Sequence, residues 1–239
     1  MKALLGSGGI RTDARKSLYI EETRRHFGDV SSILFVPWAL DDHDAYLAAM
    51  KDRGLDAGYE FIGIHECDDP IAAIDQAEAI SVGGGNTFRL CWELHRTGAM
   101  KAIQSRVIDD GVPYMGVSAG SNVACPTLQT TNDMPIVRPE SFSALGLVPF
   151  QINAHFYPGS AWIRMEDNSY IEHFGETRLD RLREYHQIND LPVIGLPEGT
   201  FLRCEDDQIE LVGGPATVFT VNSEPRQVHP GEPLDVLLD

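Results

Sequence analysis

Gly111-Val-Pro-Tyr-Met-Gly-Val-Ser-Ala-Gly120 decides the reading of this chain: a short apolar run that ends in Gly-x-Ser-x-Gly. A serine hydroxyl is a weak nucleophile until the backbone presents it to a base and to an oxyanion site. A strand that breaks through a sharp turn into a helix does both, with Ser118 at the apex and the next backbone N–H groups facing a developing negative charge. Asn122-Val-Ala-Cys-Pro-Thr127 is expected to supply the first turns of that helix. The same spacing also occurs in turns with no chemistry, so the serine needs partners elsewhere in the chain.

Working outward, short apolar runs alternate with amphipathic stretches, which is the pattern of a mostly parallel α/β sheet flanked by helices. Strands are expected at Lys2–Leu5, Ser32–Pro37, Tyr59–His65, Ala79–Val82, Val112–Val117, Phe150–Asn153, Val193–Leu196, Thr200–Arg203 and Gln208–Val212. Helical spacing falls at Asp13–Phe27, Asp44–Arg53, Ile71–Ala77, Thr87–Arg96, Ala99–Asp109 and Glu176–His186. After the last of these the strands crowd together like hairpins, a short antiparallel addition near the C-terminus. Tyr157–Gly175 has no clean period and reads as a long loop or lid. No repeat or linker divides the 239 residues, so a single domain, 1–239, is expected.

A formal charge of −17 argues against a nucleic-acid partner, because a phosphate backbone would be repelled. No apolar stretch approaches the length of a bilayer span, and the apolar part of the N-terminus is too short for a signal peptide. The expectation is a cytoplasmic protein, a monomer or homodimer, that meets neither membrane nor nucleic acid. Four scattered cysteines without a Cys-x-x-Cys pair give no support to zinc or redox chemistry. Neither metal nor cofactor is expected.

A serine nucleophile needs a histidine, and the chain has 8. His155 follows the apolar run Phe150-Gln-Ile-Asn-Ala and so stands at a strand end, where it can reach the sheet edge that carries Ser118. His65, also at a strand end, is the nearest competitor. The third member must be a carboxylate that fixes the imidazole tautomer. Asp133, in Thr130-Thr-Asn-Asp-Met-Pro-Ile-Val, would give the order Ser–Asp–His. Glu198, in Gly195-Leu-Pro-Glu-Gly after an apolar strand, would give Ser–His–Glu. Both segments are also ordinary turn sequences. A second glycine-rich strand end, Val82-Gly-Gly-Gly-Asn86, lacks the Gly-Lys-Ser/Thr of a nucleotide loop; a backbone N–H from Gly85 into an oxyanion hole fits it better.

These motifs, with Gly116-Val-Ser-Ala-Gly-Ser-Asn-Val-Ala-Cys-Pro-Thr127, Gln151-Ile-Asn-Ala-His-Phe156 and Gly175-Glu-Thr-Arg178, occur together and in order from about Phe35 to Gly214. Their combination closely resembles the peptidase E family, the S51 serine peptidases that act as α-aspartyl dipeptidases. The resemblance implies a fold like that of class I glutamine amidotransferase domains rather than an α/β-hydrolase. It implies cleavage of dipeptides with an N-terminal aspartate, with Ser118 as nucleophile and His155 as base. Either Glu198 or Asp133 completes the triad; Glu198 is favoured because Ser–His–Glu matches the Cys–His–Glu order of the amidotransferases. Gly85 and Ala119 would donate the oxyanion N–H groups. Arg178 would hold the substrate aspartate, which suits a molecule whose net charge otherwise repels anions. Asn86 would help hold the free amino group.

Two stretches depart from the family pattern: Gly6-Ser-Gly-Gly9 stands where a Ser-Asn-Ser-Thr-like segment is usual, and the segment between His155 and Gly175 is longer, with His173-Phe174 in place of His-Lys. Alternatives are a cyanophycinase-like or other amide or ester hydrolase on the same serine, or a non-catalytic binder of a small acidic ligand.

Overall fold

A computed structural model describes residues 1–238. Five parallel strands, β1 (Lys2–Gly6), β2 (Ser32–Val36), β3 (Glu60–Gly63), β4 (Ile80–Val82) and β5 (Tyr114–Val117), build the body of a seven-stranded sheet. Between them lie α1 (Asp13–Phe27), α2 (His43–Asp52), α3 (Pro70–Gln76), α4 (Thr87–Thr97) and α5 (Ala99–Ile108). The central strands are apolar on both faces because both are covered. Leu4, Ile33, Phe35 and Met115 meet Tyr19, Phe27, Leu47 and Met50 of α1 and α2. Leu5, Leu34, Val36, Ile80 and Tyr114 meet Ile74, Leu90, Leu94, Ile103 and Val107 of α3, α4 and α5.

After β5 the chain makes only one helical turn, α6 (Ala119–Asn122), shorter than expected. Pro126 offers no N–H to continue it, and Leu145 and Leu147 donate instead to the carbonyls of Val123 and Ala124. The chain returns as β6 (Gln151–Ala154), then a hairpin of β7 (Trp162–Arg164) and β8 (Tyr170–Glu172), then α7 (Arg178–Tyr185). The hairpin corrects the reading of Tyr157–Gly175 as a loop. All six of its strand residues are exposed, so neither face is buried to impose a period-2 pattern.

The last strands are β9 (Val193–Leu196), β10 (Phe201–Glu205), β11 (Gln208–Val212), β12 (Ala216–Phe219) and β13 (Arg226–Val228). They divide between two sheets. β10 and β11 extend the first sheet antiparallel beside β1, giving the order β11-β10-β1-β5-β4-β2-β3. β9 joins β6 in parallel and β12 antiparallel, giving a second sheet of order β13-β12-β9-β6. The short segment from β9 to β10 therefore joins the two sheets next to the end of β1. No helix among the described residues is long and apolar enough to cross a membrane.

Candidate active site

Ser118 follows β5 with φ 57° and ψ −109°, a backbone conformation that L-residues rarely adopt and that costs on the order of 1–3 kcal/mol. The local sequence holds the turn there. A Cβ on Gly120 would stand 2.1 Å from the carbonyl oxygen of Val82, and one on Gly116 would stand 2.4 Å from that of Gly120. The two glycines of the motif thus let the turn close against β4. The buried Tyr114 hydroxyl donates to Gly120 O at 2.7 Å, and Ser121 Oγ lies 2.7 Å from Gly6 O and 2.8 Å from Gly116 O.

β6 and β9 bring the partners from the other sheet. Their register pairs Ala154 with Leu196, so His155 and the Pro197-Glu198 turn leave adjacent strand ends together. His155, itself at φ 57°, places Nε2 2.6 Å from Ser118 Oγ and Nδ1 2.8 Å from Glu198 Oε1. With the Nδ1 proton facing the carboxylate, Nε2 is left as the acceptor for the serine proton. His155 and Glu198 are part-exposed, at 35% and 41% of their side-chain surface, so the relay opens to solvent and to a ligand. His65 takes no part: its Nε2 lies 3.1 Å from Asp44 at the far edge of the sheet.

Both ring nitrogens of His155 are occupied, and Asp133 is bonded elsewhere. Its Oδ2 accepts from the Thr87 N–H at 2.8 Å, from Thr87 Oγ1 at 2.6 Å and from Thr131 Oγ1 at 3.0 Å. This pins the polar loop to the first turn of α4, where a carboxylate also complements the helix dipole. Asn86 caps the same helix: its side chain accepts from Arg89 N at 3.0 Å and donates to Met134 O at 2.9 Å. Its amide is thereby committed to the fold.

The Gly83-Gly84-Gly85 loop runs alongside Ser118, anchored by Gly84 N–H donating to the Tyr46 hydroxyl at 2.8 Å. The N–H groups of Gly85 and Ala119 have no acceptor among the described residues, the condition an oxyanion donor must meet. Arg178 opens α7 behind a capping box formed by Thr177 and Asp180. Its Nη1 donates to Ala154 O at 3.1 Å, one residue from His155. Burial, then Arg181, lowers its pKa, opposed by the charges of Glu198 and Asp133.

Sequence reasoning missed the contribution of the N-terminal segment. Ser7, fully buried just past β1, accepts the His155 N–H at 2.9 Å and donates to Leu196 O at 2.8 Å. One hydroxyl thus links the end of the first sheet to both strands of the second that carry the relay. Gly8 and Gly9 lie against His155 and Glu198; a Cβ on Gly9, at φ +70°, would fall 1.6 Å from Glu198 Oε2. The unusual Gly6-Ser-Gly-Gly9 is therefore fitted to the carboxylate behind it. The only signal in the sequence is its position at the end of the first strand.

The chain is similar to known proteins over most of its length. The model of peptidase family S51 matches residues 3–212. Peptidase E of Streptomyces coelicolor is 49% identical over 211 residues, covering 87% of this chain and 82% of that protein. Peptidase E of Nostoc sp. is 42% identical across 100% of this chain and 97% of its own length. A probable alpha-aspartyl dipeptidase of Drosophila melanogaster is 40% identical, covering 92% and 91%. Among solved structures, a putative peptidase E from Listeria monocytogenes superposes with a TM-score of 0.64 at 21% identity, covering 88% of this chain and 97% of that one. A peptidase from an acI-B1 actinobacterium does so with a TM-score of 0.65 at 19% identity, covering 97% and 95%. These two share the fold. With a family match over nearly the whole chain and relatives above 40% identity, the chain belongs to peptidase family S51.

Proposed function

We propose that this peptidase is a serine dipeptidase that removes an N-terminal aspartate from dipeptides through an acyl-enzyme on Ser118. The observation that carries the proposal is the continuous relay from Ser118 Oγ through His155 to Glu198. Ser118 Oγ attacks the scissile carbonyl as His155 Nε2 takes its proton. Glu198 holds the ring in place and offsets the charge it gains. The carbonyl oxygen, now negative, faces the N–H groups of Gly85 and Ala119. Collapse of the tetrahedral species expels the amine, which His155 protonates, and a water activated by the same nitrogen then hydrolyses the ester.

Arg178 is the proposed reader of the substrate aspartate. It is anchored on the Ala154 carbonyl beside the relay, and a guanidinium fork can hold a carboxylate through two parallel hydrogen bonds. Asp133 and Asn86 act at one remove, by fixing the loop and helix that face Ser118. The proposed compartment is the cytoplasm, which the four unpaired cysteines fit.

The test is a substrate panel on purified protein: Asp-Leu, Asn-Leu and Glu-Leu beside cyanophycin and simple esters. Preferential hydrolysis of Asp-Leu is expected. Preference for cyanophycin or an ester, or no turnover of Asp-Leu, would overturn the assignment.

A further inference from the structure

A cavity of about 550 Å³ opens beside the relay, and Ser118, His155 and Glu198 form one of its walls. Three arginines line it as well, Arg11 from the segment after β1, Arg15 in the first turn of α1 and Arg53 just past α2. Asp and Glu outnumber Lys and Arg by 36 to 19 in this chain, and Arg89, Arg106 and Arg203 each pair with a carboxylate. Among the described residues, none of the three cavity arginines does so within 4.0 Å.

Two of them are held in place by backbone. Arg15 Nη1 donates to Gly9 O at 3.2 Å, and Arg53 Nη2 donates to Ile10 O at 2.7 Å, which leaves further donors on each guanidinium. Tyr46 adds a hydroxyl to the lining; it accepts from Gly84 N–H, so its own proton remains to be given. Three unpaired cations around one concavity make a local anion site on a molecule of charge −17.

The chemistry says which anion belongs there. His155 must protonate the departing amine, so the released residue has to lie against His155, and the cavity is bounded by that ring. In a dipeptide the released residue also carries the free C-terminal carboxylate, close to its amine. Arg178, the proposed reader of the aspartate side chain, does not line the cavity. We infer that this cavity is the subsite of the released residue, and that Arg11, Arg15 and Arg53 hold its free carboxylate. The inference rests on the dipeptidase reading and adds a reason for the length limit: a longer peptide places an amide where the guanidinium groups require a charge. It also makes an acidic second residue acceptable to an acidic protein.

The experiment compares kcat/KM for Asp-Leu and for its C-terminal amide, Asp-Leu-NH2, in the wild type and in Arg11→Gln and Arg53→Gln. Loss of a charge-assisted hydrogen bond predicts that the wild type prefers the free acid by about tenfold or more, and that each variant loses much of this preference, chiefly through KM. The Arg11 side chain makes no hydrogen bond to the described residues, and its backbone N–H bond to Gly9 O survives the substitution, so the variant tests the charge without disturbing the loop; the wild-type ratio needs no variant at all. Equal kcat/KM on the two substrates in the wild type, or a preference unchanged in both variants, would overturn the subsite. Failure of the wild type on both substrates would sink the dipeptidase reading, and this inference with it.

Discussion

The hydroxyl of Ser7 and the backbone N–H of His155 are hydrogen-bonded at 2.9 Å, across the seam between the two sheets. The same hydroxyl donates to Leu196 O. Its removal leaves the His155 N–H without a partner, while Leu196 O keeps that of Phe156; an unsatisfied donor costs about 1–3 kcal/mol. In Ser7→Ala a Tm lower by several degrees is expected, together with a fall in kcat larger than any change in KM, since His155 loses its anchor. A variant unchanged in both would show that the seam is held by other contacts.

Glu198 and Asp133 separate cleanly by their partners. Glu198→Gln removes the carboxylate on His155 Nδ1 and should lower kcat by about 10⁴-fold with little loss of stability. Asp133→Ala strips the acceptor from Thr87 N–H and should cost about 1–2 kcal/mol of stability, while keeping far more activity than Glu198→Gln. Steady-state kinetics and denaturant titration on both variants decide it; the reverse ranking in kcat would return Asp133 to the triad.

Gly9→Ala tests the fit of the N-terminal segment. The new Cβ would also lie 2.7 Å from the Cβ of Glu198, so the glutamate has to move rather than merely rotate its carboxylate. A drop in kcat of about 100-fold or more is expected with the circular dichroism spectrum retained. Wild-type turnover would mean that Glu198 need not sit where it does.

His26 provides a pH signature of the fold that is independent of the site. Burial, then the charge of Lys2, lowers its pKa to about 3 against a hydrogen bond at Tyr114. The unfolded chain binds this proton near pH 6.5 while the folded chain refuses it, so stability falls as pH drops through the window from about 6.5 to 3 and is flat above it. Relative to His26→Gln, the wild type should lose up to about 1.4 kcal/mol per pH unit in that window. A stability difference constant with pH would contradict the burial of a neutral ring.

Much of the fold was legible because its signals are local. α1 has the limits that its periodicity gives, Asp13–Phe27, with Thr12 capping it. β9 and β11 also fall where expected, since each is a short apolar or half-buried run between turns. The exposed hairpin and the short strands β12 and β13 carried no such pattern. The division into two sheets was hidden for a different reason: whether β10 pairs with β1 or with β9 is a non-local choice that no single segment records. The same holds in the site. Ser118 and His155 announce themselves by position at strand ends, but the carboxylate behind His155 follows from the parallel pairing of β6 with β9. Ser7 and Gly9 act only through that same meeting of distant strands.

The central claim is that Ser118 carries the acyl group. Rapid quenching of wild-type enzyme turning over Asp-Leu, followed by mass spectrometry of the peptide containing Ser118, should show an adduct of one aspartyl residue, and Ser118→Ala should show neither adduct nor turnover while remaining folded. Hydrolysis of Asp-Leu by folded Ser118→Ala at a rate near that of the wild type would contradict it.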